Sequence, residues 1–164
     1  QNTQSNAGVD IGQGASLKGK NVALTAQAQT LKFASLTNDT DPASVSGLAR
    51  LINFNGPIQV NANAAAVVSE ATATVFVHSN AVIQADENIT LDTDALADSQ
   101  ISTSGKYLGI TYGRSAPTST ITVGTGATLT AGLDFIAEAT TNNNLVVKTS
   151  VPAAGDVAWR SRGT

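Results

Sequence analysis

The sequence predicts an all-β fold, a parallel β-solenoid in which successive coils of the chain stack on one another. A short motif occurs three times, at residues 9–17, 75–83 and 121–129. In each copy, two apolar residues separated by one are followed by Gly or Asn, then Ala, then a further apolar residue. A fixed strand–turn–strand unit that recurs along a chain is typical of solenoid proteins. The repeat therefore indicates architecture, whereas no pattern of similar strength points to a reaction.

The turn of the motif has a restricted composition. Its central position is Gly14, Asn80 or Gly126, and each is followed by Ala. Gly and Asn adopt positive φ at the lowest cost, which predicts a left-handed residue that bends the chain there. The small Ala that follows predicts a corner that points into a crowded interior.

A third strand follows each copy. Apolar and polar residues alternate over 22–28, 89–95 and 135–139, and the inward series changes from large to small side chains. A period of two predicts a strand and not a helix. The turn before this strand is one residue shorter in the first copy.

The spacing of the copies limits the coil length. Val9 and Val75 are 66 residues apart, and Val75 and Ile121 are 46 apart. Both distances divide into pieces of 22 or 23 residues, which favours about seven short coils. Weaker copies would then fall at 51–54, 58–62 and 67–73. A wide coil of 46 residues with longer strands fits the second spacing equally well, and we keep it as the alternative.

Composition agrees with this class. The 164 residues predict a single solenoid domain over 1–164, or a segment of a longer array, with residues 1–7 as a flexible N-terminal arm. Charged residues make up 13% and aromatic residues 4%, while apolar residues reach 41%. A narrow core filled by stacked Val, Ile, Leu and Ala accounts for the scarcity of aromatic side chains. The alternating Val, Ile and Leu runs argue against disorder.

Charge and segment content exclude several functions. The net charge is −3, and no basic patch larger than two residues occurs, so we expect no nucleic-acid partner. No apolar run approaches 18 residues, so we expect no membrane span. The chain has no Cys, which excludes a disulfide scaffold. Because it begins with Gln1 and contains no Met, we interpret it as a mature or excised chain.

Parts of the chain resemble a known group of proteins. Residues 9–17 and 121–132 are similar to the repeats of large bacterial surface adhesins, namely the filamentous-haemagglutinin-like and autotransporter-passenger β-helix proteins. Residues 107–113, leading into 118–123, resemble the strand that precedes such repeats. The resemblance implies a right-handed parallel β-helix, secretion to the cell surface, and a role in adhesion or extracellular structure. Residues 31–57 and 140–164 do not match it.

Candidate chemical residues are few, and we assign no catalytic, cofactor-binding or metal site and no cofactor. His78 is the only His, and it replaces the Gly found in the other two copies, so we interpret it as an exposed turn residue. Asp92, Asp94 and Asp98, with 86–87 nearby, carry oxygen ligands suited to calcium but lack a calcium-binding repeat, which favours a solvated acidic face. Asp134 and Glu138 are the acids that a carbohydrate-cleaving enzyme would use.

Other features have ordinary explanations. A threonine row, whose members are Thr118, Thr120, Thr122, Thr128 and Thr130, fits β propensity, although such rows can order water. Asn38–Thr40 and Asn88–Thr90 match the N-glycosylation pattern. Trp159, the only Trp, is interpreted as covering one end of the core. Residues 39–42 and 115–117 are predicted to be loops because each contains Pro.

Three functions remain open. The first is a non-catalytic, secreted segment of a surface adhesin or extracellular scaffold, which contacts neighbouring repeats of its own chain and cell-surface glycans or proteins. The second is a self-associating subunit of an extracellular filament joined by β-strand addition. The third and weakest is a carbohydrate-active β-helix enzyme.

Overall fold

The computed structural model describes residues 2–37, 62–104 and 108–150, which form nine β-strands. The strands are β1 (Asn2–Ile11), β2 (Ser16–Gly19), β3 (Val22–Thr37), β4 (Ala62–Val77), β5 (Val82–Ala85), β6 (Ile89–Ser104), β7 (Leu108–Val123), β8 (Thr128–Ala131) and β9 (Phe135–Ser150). These three ranges contain no helix, so none that could cross a membrane occurs in them.

The strands form three parallel sheets of three strands each. Their orders are β1-β4-β7, β2-β5-β8 and β3-β6-β9. Each sheet takes one strand from each of three successive coils, which we call the first coil (β1–β3), the second coil (β4–β6) and the third coil (β7–β9). Every pairing between coils is parallel. The predicted all-β parallel solenoid is confirmed, while the right hand stays a prediction.

The coil is the wide one of the two that the spacing allowed. Val75 pairs with Ile121, so one coil takes 46 residues, and the described ranges hold three such coils instead of about seven short ones. Each coil has two strands on its long sides and one four-residue strand at the corner. Spacing alone could not decide, because 46 residues are two pieces of 23. The 66-residue spacing of Val9 and Val75 contains the longer connection between β3 and β4.

Two segments differ from the sequence prediction. Residues 2–7, expected in a flexible arm, begin β1 and pair with residues 68–73. Residues 115–117, expected to be a loop, lie in β7, where Pro117 aligns with Ala71. Because β7 is an edge strand of the described sheet, it can hold a residue without an N–H group. The candidate segments at 51–54 and 58–61 lie outside the described residues.

The turn between the first two strands of each coil confirms the predicted left-handed residue. Gly14, Asn80 and Gly126 have φ values of 68°, 59° and 74°. In the second coil, the Ala81 N–H donates to the His78 carbonyl at 3.3 Å, which closes a β-turn. Ala81 is fully buried, as predicted for a small corner residue.

The core lies between the two long sheets, and its chemistry changes along them. Next to the corner it consists of branched apolar side chains, such as Val77, Ile83 and Ile89, and further along it consists of alanines. The predicted decrease in side-chain size along the third strand is therefore present in the second coil. Beyond the alanines, buried hydroxyl groups replace apolar side chains.

Candidate functional site

The hydroxyl groups inside the solenoid join the two long sheets. The Ser99 hydroxyl donates to the Ser69 hydroxyl at 2.5 Å, and both side chains are fully buried. The Thr111 hydroxyl lies 2.6 Å from that of Thr103 and 2.7 Å from that of Thr149. Since each hydroxyl both donates and accepts, such a chain satisfies polar groups without water. The sequence did not indicate this row, because inward Ser and Thr look like ordinary surface residues of a strand.

A ladder of amide side chains runs along the second corner, at the turn that leads into the third strand of each coil. The Asn88 N–H and Nδ2 both donate to Asn21 Oδ1 at 3.1 Å, and the Asp134 N–H donates to Asn88 Oδ1 at 3.1 Å. Each residue of the ladder therefore accepts the backbone donor of the next coil. The signal was present in the sequence as a polar residue directly before each third strand.

The outer face of the β1-β4-β7 sheet is polar. We call Gln4, Glu70 and Arg114 the polar strip, because they cross the three coils side by side. Gln4 Nε2 donates to Glu70 Oε2 at 2.7 Å, and Arg114 Nη1 lies 3.6 Å from Glu70 Oε1. Tyr112, two residues before Arg114, is 57% exposed. This combination of an exposed ring with paired charges is suited to contact with another molecule.

The predicted threonine row belongs to the same face. Thr118, Thr120 and Thr122 align with Thr72, Thr74 and Phe76 of the second coil. Thr128 and Thr130 lie in β8, on another sheet. The row is therefore a small two-coil array that ends at Phe76, and it does not extend around the corner.

His78 lies just before the corner turn, as predicted. Its Nε2 is 3.0 Å from Asp10 Oδ1, and its ring centroid is 4.3 Å from that of Phe76. The side chain is 41% exposed. These contacts join the first and second coils and give His78 a structural partner on the surface.

The acidic candidates are spread over an open sheet face. Asp92 aligns with Glu138 of the next coil, whereas Asp94 aligns with Thr140. Asp98 accepts a hydrogen bond from Asn144 Nδ2 at 3.1 Å. The sequence did not indicate that Asp92 and Glu138 meet. Among the described residues, no group of three or more acidic or His side chains could hold a metal ion.

The remaining acids lie at the second corner. Glu87 is 3.1 Å from Lys20 Nζ and accepts a hydrogen bond from Asn21 Nδ2 at 3.0 Å. Asp86 borders a shallow depression of about 350 Å³ that Lys18, Gly19, Lys20 and Gln84 also line. Asp134 belongs to the amide ladder and is separated from Glu138 by the start of β9.

The other predicted features have mixed outcomes. Trp159, the Asn38–Thr40 pattern and the predicted loop at 39–42 lie outside the described residues. The Asn88–Thr90 pattern lies at the second corner, where the Asn88 amide is already hydrogen-bonded in the ladder.

The third coil has an open edge among the described strands. Leu133 is 70% exposed, and Phe135 and Ile136 are about half exposed. β7, β8 and β9 each pair on one side only within the described sheets. Unpaired strand edges favour pairing with another chain unless specific residues oppose it.

Comparison with known proteins identified no relative. Neither a scan against protein-family models nor searches of curated proteins and of solved structures found a match.

Proposed function

We propose that this chain is a non-catalytic, extracellular structural segment that presents an adhesive face, as part of a surface adhesin or scaffold. The observation that carries the proposal is the continuous parallel pairing of three wide coils around an interior filled by their own side chains. Such an interior holds the outer faces in fixed positions. A protein of this kind acts by presenting surfaces, not by enclosing a substrate.

The chemistry of the outer faces supports this proposal over an enzyme. Asp92 and Glu138 are the one aligned pair of acids considered above, and both lie on an open sheet face where water reaches them. A glycoside-cleaving pair acts on either side of a bound sugar, which needs a cleft to exclude water and orient the bond. A flat sheet face does not provide one.

The polar strip with Tyr112 is the surface we assign to adhesion. Tyr and Arg contribute most strongly to binding surfaces, because each combines a large contact area with hydrogen-bonding groups. Arg114 is 58% exposed in its side chain, and Glu70 holds it from the neighbouring coil. The partner class is a cell-surface glycan or an extracellular protein.

Binding and turnover measured on the same ligands test this proposal. The purified chain would be immobilised and exposed to a panel of cell-surface glycans and extracellular proteins, with release of reducing ends followed in parallel. We expect binding without glycan breakdown. A double variant, Tyr112→Ala with Arg114→Ala, should weaken binding by at least about tenfold, as expected for interface residues of these types.

The matched control is Gln27→Ala, an exposed residue on the outer face of the opposite long sheet. It should leave binding unchanged. Release of reducing ends would overturn the non-catalytic proposal, and an equal loss of binding in the control would remove the polar strip from it.

A second candidate function is a filament subunit joined by β-strand addition. The exposed Leu133 and Phe135 on the third coil favour it, because apolar side chains at an open edge gain from being covered. Electron microscopy distinguishes the two candidates, since filaments are expected only for the second.

A further inference from the structure

We infer that the ends of the stack are guarded against pairing with a second copy of the chain, by Pro117 and Asn143 at the upper edge and by Lys32 at the lower edge. The inference bears on the filament candidate and does not depend on the adhesive face, so its failure leaves the first candidate standing.

The direction of the Pro117 nitrogen follows from the pairing of β7. The Gly124 N–H donates to the Val77 carbonyl at 2.7 Å, so Gly124 directs its backbone donor toward the second coil. Neighbouring residues of a strand direct their N–H groups to opposite sides, and this alternation continues back along β7. Thr118 thus directs its N–H toward β4, while the nitrogen of Pro117 points to the open edge. Pro117 therefore costs no hydrogen bond within the sheet and leaves the edge without a donor.

The neighbouring acceptor on the same edge is already occupied. Asn143 Nδ2 donates to the Ser115 carbonyl at 3.2 Å. In a parallel ladder, one residue of an added strand pairs with the carbonyl of residue i−1 and the N–H of residue i+1. A residue placed beside Ala116 would need the Ser115 carbonyl and the Pro117 N–H. The first is bonded to Asn143 and the second does not exist, so this pairing position in the middle of β7 is closed.

Lys32 guards the opposite end. It lies in β3 and aligns with Ser99, whose side chain is fully buried in the row that faces the interior. Lys32 therefore holds an inward position in the first coil. A coil docked beneath it would enclose its ammonium group in the core, where an unpaired charge is costly. Inward-pointing charges and edge prolines are known means by which β-proteins prevent edge-to-edge association.

The second coil supplies the substitutions that remove these guards. At the three matching positions it has Ala71, Ala97 and Ser99. The test variant is thus Pro117→Ala, Asn143→Ala and Lys32→Ser, made in the full chain. Sedimentation velocity and negative-stain microscopy over a wide concentration range would measure assembly, and circular dichroism would confirm that the β structure is retained.

We expect the unchanged chain to remain monomeric and the triple variant to associate end to end, with an association constant at least about 100-fold higher. That magnitude corresponds to one restored backbone hydrogen bond, one released acceptor and one charge no longer enclosed. The upper-edge pair of changes and the lower-edge change, made separately, should each give part of the effect. They decide the question if the triple variant does not fold.

Two controls test the geometry itself. Thr118→Pro, one residue from the natural proline, removes an N–H directed toward β4 and should destabilise the fold, whereas moving the proline would be harmless if the alternation were wrong. Lys32→Arg keeps the charge and should not promote assembly. Filaments of the unchanged chain, or a triple variant that stays folded and monomeric at every concentration, would overturn the inference.

Discussion

The second and third coils share one design but differ in how completely they are covered. Ile89 and Phe135 hold the same position in successive coils, yet Ile89 is 0% exposed and Phe135 is 52% exposed. Val77 and Val123 are the same residue at one position, with exposures of 0% and 46%. The side chain and its place in the coil do not decide burial. A solenoid residue is buried when it has a neighbouring coil on each side, so stability concentrates in the middle of the stack.

The largest expected effect is the difference between Ile89→Ala and Phe135→Ala. Removing the fully buried Ile89 side chain leaves a cavity between two coils and should lower the free energy of unfolding by about 2–5 kcal/mol. Phe135 is larger, but about half of it is already in water, so its loss should cost about 1–2 kcal/mol. Urea unfolding followed by circular dichroism measures both. Equal losses would mean that the third coil is covered in solution.

The success of sequence analysis varied between regions for physical reasons. The left-handed corner could be predicted because only Gly and Asn adopt positive φ at low cost, and all three copies carry one of them. The coil length could not, because half a coil of this fold contains 23 residues and looks like a whole short coil. Pro117 was misinterpreted because its effect depends on which neighbour its nitrogen faces, and this requires the register.

The candidate surfaces were harder to predict than the fold. Gln4 and Glu70 are 66 residues apart in sequence, so their contact depends on the length of the connection between the first and second coils. The alignment of Asp92 with Glu138 likewise requires the 46-residue register. Contacts across coils follow from the period of the coil, and an error in the period moves every partner.

An intermediate effect is expected at the corner turns, where the second coil has Asn80 and the third has Gly126. Gly126→Ala places a Cβ on a residue with φ of 74°, and this Cβ would lie 2.6 Å from Asn80 Oδ1. We expect a loss of about 1–2 kcal/mol, since a left-handed conformation costs a non-glycine residue about that much. Asn80→Gly keeps the conformation accessible and should change stability by less than about 0.5 kcal/mol.

Thermal unfolding of the two variants side by side measures this difference. A second control, Gly12→Ala, adds a Cβ in open space at the first position of the same turn. If Gly12→Ala were as harmful as Gly126→Ala, the cost would come from the loss of glycine in general and not from the left-handed position.

The smallest expected difference concerns the amide ladder and again separates the second coil from the third. Asn88 both donates to Asn21 and accepts from the Asp134 N–H, so Asn88→Ala removes two hydrogen bonds at an exposed corner. Water replaces part of what is lost, and we expect a cost of about 1 kcal/mol. Asp134 contributes its backbone N–H, which alanine retains, so Asp134→Ala should stay within about 0.5 kcal/mol. Amide hydrogen exchange at residue 134 gives a direct measurement, because Asn88→Ala should accelerate it and Asp134→Ala should not. If the two variants were equally destabilised, the carboxylate of Asp134 would itself be bonded, and the ladder would continue beyond the third coil.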